Sequence, residues 1–229
     1  MRYIFIFCLS MFIISCGKDK VLQLPEISYS EISEINDVSA AYLFYDETKT
    51  DSVELNRKNL ISSTNWLINV DKRLRIKQVI PHIKFLQEKK RNSSHKKENS
   101  KNYFTCNNTS KKNLGFIEFT AIDYHEEPAG DFFSETKNIP KGTRFSIVFY
   151  SPEKIEITGF IEELITKTTN QSKLTKTLSN LFNQHNIQIE IILNFHQNLS
   201  FQDYISFKSL LLKLDLENVT ISNHEFIFN

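Results

Sequence analysis

The densest cluster of chemically capable side chains is Asp123-Tyr124-His125-Glu126-Glu127, which precedes Pro128 and Gly130. The imidazole of His125 and the carboxylate of Glu127 are the side-chain types that ligate a metal ion, and a carboxylate there could act as a general base. Adjacent acids before a Pro-Gly loop are more often the solvated end of a strand, and we interpret the cluster in this way. His125 and Glu127 are the first suspects if the protein is an enzyme.

The rest of the sequence offers little catalytic chemistry. It contains no His-Glu-x-x-His, no Gly-x-Ser-x-Gly, no phosphate-binding loop and no Cys-x-x-Cys. Cys106 has no base among its sequence neighbours to activate its thiol, so we interpret it as structural. Asp71 and His196 each follow a predicted strand, where a polar side chain commonly accepts a hydrogen bond from a nearby backbone N–H. We expect no catalytic residue, no cofactor and no bound metal ion.

A basic segment runs from Lys89 to Lys112 and holds eight Lys or Arg residues against one acid, Glu98. A segment of this composition is most often a solvated loop. Its charge could also attract anionic lipid headgroups or an anionic wall polymer. The side chains expected to make such a contact are Lys89, Lys90, Arg91, Lys96 and Lys97.

The amino terminus predicts where the protein is located in the cell. Arg2 precedes an apolar run from Tyr3 to Ile14, and Ile13-Ile14-Ser15-Cys16 resembles a bacterial lipobox. The resemblance implies that residues 1–15 are a signal peptide and that Cys16 becomes the lipid-bearing first residue of the mature chain. A membrane-spanning helix is the alternative, although the run is shorter than the about 20 apolar residues that a span needs.

The charge balance restricts the partners of the chain. The signal contains Arg2 and no acid, so 27 basic and 27 acidic side chains remain after its removal. A nucleic-acid-binding protein would show a basic excess, so we expect no nucleic-acid partner. The expected partners are the membrane, through the lipid, and an envelope protein or cell-wall component, with a homodimer as a further candidate. The expected location is the cell envelope, on the periplasmic side or the cell surface.

The carboxyl-terminal half predicts an α+β unit over residues 143–229, in the order β-β-α-β-α-β. Apolar residues alternate as in strands, or recur at helical spacing with a capping box at Ser200 and Asp203. The predicted strands are Arg144 to Tyr150, Ile155 to Thr158, Ile187 to Phe195, Val219 to Ile221 and Glu225 to Phe228. The predicted helices carry Leu174, Leu178, Leu181 and Phe182, and then Tyr204, Phe207, Leu211 and Leu214.

A shift of 125 residues aligns the best-matching stretch of the amino-terminal half with this unit without a gap; the identities are few, so either a duplication or the common pattern of any βαβ segment explains the match. Leu67-Ile68-Asn69-Val70 falls on Ile192-Leu193-Asn194-Phe195, and Leu86 falls on Leu211. We therefore predict a lipidated tether at 16–37, a first unit at 38–125 with a basic loop at 89–112, a linker at 126–142 and a second unit. Pro81 should kink the first unit's helix or delay its start.

The order of elements resembles the periplasmic domain of the ExbD/TolR biopolymer-transport family. Asn194 to Leu199 precedes a helix, Asp215 to Ile221 follows it, and Val70-Asp71-Lys72-Arg73-Leu74 is similar to the family's Asp-containing turn. The resemblance covers Leu43 to Leu86 and Arg144 to Phe228. It implies two ββαβαβ-like units with mixed sheets covered by helices, and a binding role with an exposed first strand.

One departure from that family bears on function. Its members carry an aspartate inside an amino-terminal membrane helix, whereas the apolar run of this chain contains no acid. The proton-coupling role is therefore not expected. The sequence predicts a membrane-anchored envelope lipoprotein that acts as a non-catalytic binding or scaffolding module. The alternative is an envelope enzyme, a hydrolase, that uses His125 and Glu127.

Overall fold

The structure, a computed structural model, describes residues 20–95, 97–130, 132, 143–183, 185, 187–214 and 216–229. Over these residues the chain forms two mixed sheets of six strands each and three helices. The predicted α+β class with two similar units is confirmed. Cys16, the predicted signal peptide, Lys96 and most of the predicted linker lie outside the described residues.

The first sheet has the order β3-β2-β4-β5, with β1 and β6 both paired to β5. The strands of the β2–β4–β5 core run parallel, and β3 and β6 pair antiparallel at its two sides. Strand bounds are β1 Glu26–Ile27, β2 Val38–Tyr45, β3 Val53–Asn56, β4 Asn65–Val70, β5 Asn102–Asn108 and β6 Asn113–Glu118.

The second sheet has the order β10-β9-β8-β11-β12-β7. The hairpins β8–β9 and β9–β10 are antiparallel, and β8, β11, β12 and β7 run parallel. Strand bounds are β7 Asp123–His125, β8 Thr143–Ser151, β9 Lys154–Phe160, β10 Leu164–Thr169, β11 Ile189–His196 and β12 Val219–Phe228.

Helices supply the apolar side chains that cover one face of each sheet. They are α1 Ile76–Arg91, α2 Leu174–Phe182 and α3 Phe201–Leu211, and a 3₁₀ turn, Gln171–Lys173, precedes α2. The α3 amino terminus has the predicted capping box, in which Ser200 Oγ accepts from Asp203 N at 3.0 Å. Pro81 lies inside α1, whose first residue is nevertheless Ile76.

The two units meet where β4 and β11 end, through an exchange of backbone hydrogen bonds that is symmetric between them. Arg75 and Ser200, which the 125-residue shift aligns, form an antiparallel bridge. The four backbone bonds are Ile76 N to Leu199 O (3.0 Å), Phe201 N to Leu74 O (2.6 Å), Lys77 N to Gln197 O (3.1 Å) and Gln202 N to Lys72 O (3.2 Å). Adding 125 to each residue number of the first unit and subtracting 125 from each of the second converts the set of four bonds into itself. This exchange is what a local twofold axis produces.

Equivalent residues also make equivalent local bonds. Asn69 and Asn194 both direct their Nδ2 to the carbonyl two residues earlier and to a residue of the neighbouring strand. Asp71 Oδ1 accepts from Arg73 N at 3.1 Å, and His196 Nδ1 accepts from Asn198 N at 3.3 Å. Both side chains thus accept a hydrogen bond from a backbone N–H, as the sequence predicts, although His196 is the last residue of β11 rather than a turn residue.

Short strands from elsewhere in the chain extend both sheets. β7 belongs to the end of the first unit in sequence but pairs with β12 of the second sheet. β1 lies in the predicted tether and pairs with β5, while the Gln202 side-chain amide bonds both backbone groups of Glu26 at 2.8 Å. Residues of the predicted tether from Lys20 onward thus contact the folded body, and Ile27 is buried.

Three sequence expectations differ from the structure. The basic loop predicted at 89–112 contains the end of α1 and all of β5, whose Tyr103, Phe104 and Cys106 are buried. The first strand of each unit, β2 or β8, is flanked on both sides by other strands rather than exposed at an edge. The two closing segments predicted at 219–228 are one strand, β12, with an irregularity opposite Ile191 and Leu193.

Candidate functional site

The cleft at the carboxyl end of α1 is the first of the candidate sites. The apolar face of α1 includes Ile83 and Leu86, and helical spacing brings Gln87 and Lys90 onto the same buried side. Lys90 Nζ donates to Lys101 O at 3.0 Å and to Asn102 Oδ1 at 2.9 Å. The ammonium group of Lys90 therefore lies in the interior, at the point where the loop after α1 returns to β5.

The surroundings of Lys90 act on its charge. Its Nζ lies 5.0 Å from the centroid of the Trp66 ring, a favourable position for a cation. Burial lowers the pKa of Lys90 from 10.5 to about 8, because removal from water disfavours the ammonium form. Both hydrogen-bond acceptors are neutral, so neither compensates the charge as a carboxylate would.

The cleft beside this lysine has a volume of about 400 Å³. Its polar lining comes from the end of α1, from the loop that follows, and from the β5 and β6 ends of the first sheet. The lining residues are Gln87, Lys90, Arg91, Lys97, Glu98, Ser100, Asn102 and Thr120. Three of them are basic and one is acidic.

Four of the five predicted anion-contacting residues are described by the structure, and they lie in different environments; Lys96 is outside the described residues. Lys89, Arg91 and Lys97 are exposed, and Lys97 Nζ lies 3.6 Å from Asp37 Oδ2. Lys90 is buried, whereas the sequence predicted it on a solvated loop; its spacing from Ile83 and Leu86 was the available signal. The structure brings Lys90, Arg91 and Lys97 together around the cleft and leaves Lys89 outside it.

The His125 cluster lies on β7, at the edge of the second sheet. His125 Nε2 and His224 Nδ1 are 2.9 Å apart, a hydrogen bond whose donor depends on the tautomers. His125 Nδ1 lies 3.7 Å from Glu127 Oε1, and its ring stacks on Phe226 with centroids 4.9 Å apart. Burial, followed by the neighbouring His224, lowers the pKa of His125. His125 and Glu127 are thus neighbours, and His224 takes up one imidazole nitrogen of His125.

A buried polar network behind this pair was not predicted from the sequence. Glu225 is fully buried on β12; its carboxylate accepts from Tyr204 Oη at 2.7 Å and from Lys208 Nζ. Tyr204 Oη is 3.2 Å from Tyr124 Oη, so the network joins β7, α3 and β12. Burial raises the pKa of both tyrosines well above 10.0. A glutamate within the apolar run at the end of the chain was its only sequence signal.

The remaining candidates are structural. Cys106 is fully buried in β5, and burial raises the pKa of its thiol, so the reactive thiolate is disfavoured. Within the described ranges, no three His, Cys, Asp or Glu side chains are grouped as a metal site. In the same part of the chain, no helix is both long and apolar enough to cross a bilayer.

Comparisons of the chain with models of protein families, with curated proteins and with solved structures find no match.

Proposed function

We propose that the protein is a membrane-anchored envelope lipoprotein, held by lipid at Cys16, whose folded part is a non-catalytic binding module. The partner is an extended segment of another envelope protein, which adds to the second sheet beside β10. The observation that carries this proposal is the exposed hairpin β9–β10 at the open edge of that sheet.

The tip of the hairpin exposes large apolar side chains to solvent. Phe160 and Leu164 pair across β9 and β10, and they are 59% and 70% exposed. Thr166, Lys167 and Thr168 continue the exposed edge. β10 ends the strand order of its sheet, so one side of its backbone offers hydrogen-bonding groups to an added strand.

An extended segment suits this edge because the molecule already uses the same mode of binding. β7 adds in parallel to β12, and β1 adds in parallel to β5, although these strands are only three and two residues long. In strand addition the backbone bonds supply affinity, and adjacent apolar side chains select the sequence. Phe160 and Leu164 provide that selection here.

The resemblance to ExbD/TolR domains supports a binding role, since it rests on the units that the structure contains. Val70 to Leu74 forms a turn in which Arg73 Nη2 contacts the buried Asp71 at 2.7 Å. This contact supports a structural role for Asp71, and proton coupling is not part of the proposal. The membrane anchor itself rests on the lipobox at Cys16.

The test uses the lipidated chain in its own cells, with a photo-cross-linking residue at Thr166 on β10. We expect a cross-link to an extended segment of one envelope protein, mapped by mass spectrometry. Leu164→Asp should reduce its yield at least tenfold. The matched control is Leu114→Asp, which changes an exposed leucine on edge strand β6 of the other sheet.

Two outcomes would contradict the proposal. Equal loss in both variants would show that β10 is not the binding edge. A cross-link to a second copy of the chain would replace the partner segment by a homodimer.

A further inference from the structure

We propose that the cleft beside Lys90 is a binding site for a small anion that carries a carboxylate or phosphate group. This site is separate from the β10 edge and does not depend on the function proposed above. Three observations support it: the burial of Lys90 without a carboxylate partner among the described residues, the shape and lining of the cleft, and the contrast with the partly buried Lys208.

Lys90 retains only 6% of its exposure, yet no carboxylate of the described residues lies within ion-pair distance of its Nζ. Its two hydrogen bonds go to a backbone carbonyl and to an amide oxygen. An ammonium group has three donors, and no third oxygen acceptor for Lys90 lies among the described residues; its remaining neighbour is the Trp66 ring, whose centroid is 5.0 Å from Nζ. Burial of a charge is costly unless that charge is paired, and the lowered pKa expresses this cost.

Lys208 is a partly buried lysine with a structural role, and it serves as the comparison. Its side chain is 12% exposed, and its Nζ contacts the fully buried carboxylate of Glu225. The carboxylate thus supplies the counter-charge from within the fold. For Lys90 the described residues supply no carboxylate, and the residue lines an open cleft instead.

The cleft fits a small ligand. Its volume of about 400 Å³ is within the usual range for small-molecule sites. Lys97 and Arg91 add positive charge at its wall, and Ser100 and Thr120 add hydroxyl groups. Glu98 is the one acid among the lining residues, and Asp37 lies 3.6 Å from Lys97, so the three basic side chains still outnumber the acids, which favours an anion with a polar body.

The experiment measures binding by calorimetry to the lipidated full chain in neutral detergent at pH 7. The probes are glycerol 3-phosphate and glucuronate, with glycerol and glucose as uncharged controls. We expect one anionic probe to bind and both uncharged probes to fail. Which anion binds distinguishes a phosphate ligand from a carboxylate ligand.

Matched lysine variants locate the site. Lys90→Gln and Lys97→Gln should each weaken binding at least fivefold, whereas Lys89→Gln should leave it unchanged, because Lys89 lies outside the cleft. In the folded wild-type protein, saturation with the anion should raise the pKa of the Lys90 amine in a ¹³C-detected titration. This readout needs no variant, so a folding defect in Lys90→Gln does not affect it.

Absence of binding by both anions would overturn the proposal. Equal weakening by all three lysine substitutions would overturn it as well, since general surface charge would then explain binding. An unchanged pKa of the Lys90 amine at saturation would show that the ligand lies elsewhere.

Discussion

At the residue scale, His125 and His224 form a hydrogen-bonded pair of ionisable rings. A hydrogen bond between two imidazoles needs one donor nitrogen and one acceptor nitrogen, and the acceptor is lost when both rings are protonated. The pair joins β7 to β12, so its protonation state contributes to holding the end of the first unit on the second sheet.

This pair predicts that the protein loses stability in mild acid. Because the folded-state pKa of His125 is lowered from 6.5, the folded protein disfavours its protonation. The contribution is therefore fully present above pH 6.5 and declines as the pH falls from 6.5 toward the folded pKa. Besides His224, the charged groups acting on His125 are Glu127, Asp123 and Lys84.

Urea unfolding at pH 7.5 and pH 5.5 measures this effect. The free energy of unfolding should fall more between the two pH values for the wild-type chain than for His125→Gln. His95→Gln, at an exposed histidine, should retain the wild-type difference. An identical pH dependence in all three proteins would contradict the assignment to His125.

The Lys208–Glu225 pair gives a second prediction at this scale. Lys208→Met leaves the buried Glu225 carboxylate without its cation, and loss of one partner of a buried pair costs about 3–5 kcal/mol. Lys84→Met breaks the exposed pair with Glu126 and should cost less than about 1 kcal/mol. Chemical denaturation of both variants measures the difference. Equal decreases in the free energy of unfolding would show that the buried pair stabilises the fold no more than the exposed pair does.

At the element scale, the strands with regular alternation were predictable and β5 was not. β8 alternates Phe145, Ile147 and Phe149 toward the core, which is the half-buried pattern that sequence analysis detects. β5 lies between β4 and β6 and is buried on both faces, so its sequence Asn-Tyr-Phe-Thr-Cys-Asn-Asn shows no alternation. Lysines on both sides of it made the whole segment resemble a solvated loop.

The helices allow a test of burial by equivalent substitutions. Leu86 on α1 and Leu211 on α3 are aligned by the 125-residue shift, and they are 1% and 3% exposed. Replacing either by Ala should lower the free energy of unfolding by about 2–5 kcal/mol, because each change removes a packed side chain and leaves a cavity. Leu164→Ala, at a largely exposed position, is the control. A loss under about 1 kcal/mol at Leu211 would contradict its place in the core.

At the scale of the whole molecule, the presence of two similar units was predictable, whereas the contacts between them were not. The shift of 125 residues follows from the pattern around Leu67 to Val70, and the symmetric junction has the same offset. The junction is made of backbone groups next to Arg75 and Ser200, so no pattern of side chains in the sequence predicts it. The same holds for the cleft at Lys90, which forms only when the loop after α1 returns to β5.

The docked segment before β1 determines which part of the molecule lies near the membrane if Cys16 is lipidated. Lys20 Nζ contacts Asp46 at 2.7 Å and also Glu54, on either side of the β2–β3 turn. Only three residues separate Cys16 from Lys20, so their Cα atoms are at most about 14 Å apart. The β2–β3 turn should therefore face the bilayer. The Phe160–Leu164 tip lies at the far end of β11 from the junction, which leaves it accessible to a partner.

This orientation can be measured with single fluorescent labels at Thr50 in the turn and at Glu162 in the distal tip, introduced as Thr50→Cys and Glu162→Cys. The buried Cys106, whose thiol pKa is raised, should not compete for the label. In vesicles with spin-labelled lipid headgroups, quenching should be strong at position 50 and weak at 162. Cys16→Ala should release the protein from the vesicles and abolish quenching at both positions.

Retention of the Cys16→Ala protein would contradict the lipid anchor. Equal quenching at both positions with the anchor intact would contradict the orientation alone, because the distance argument concerns only the docked segment.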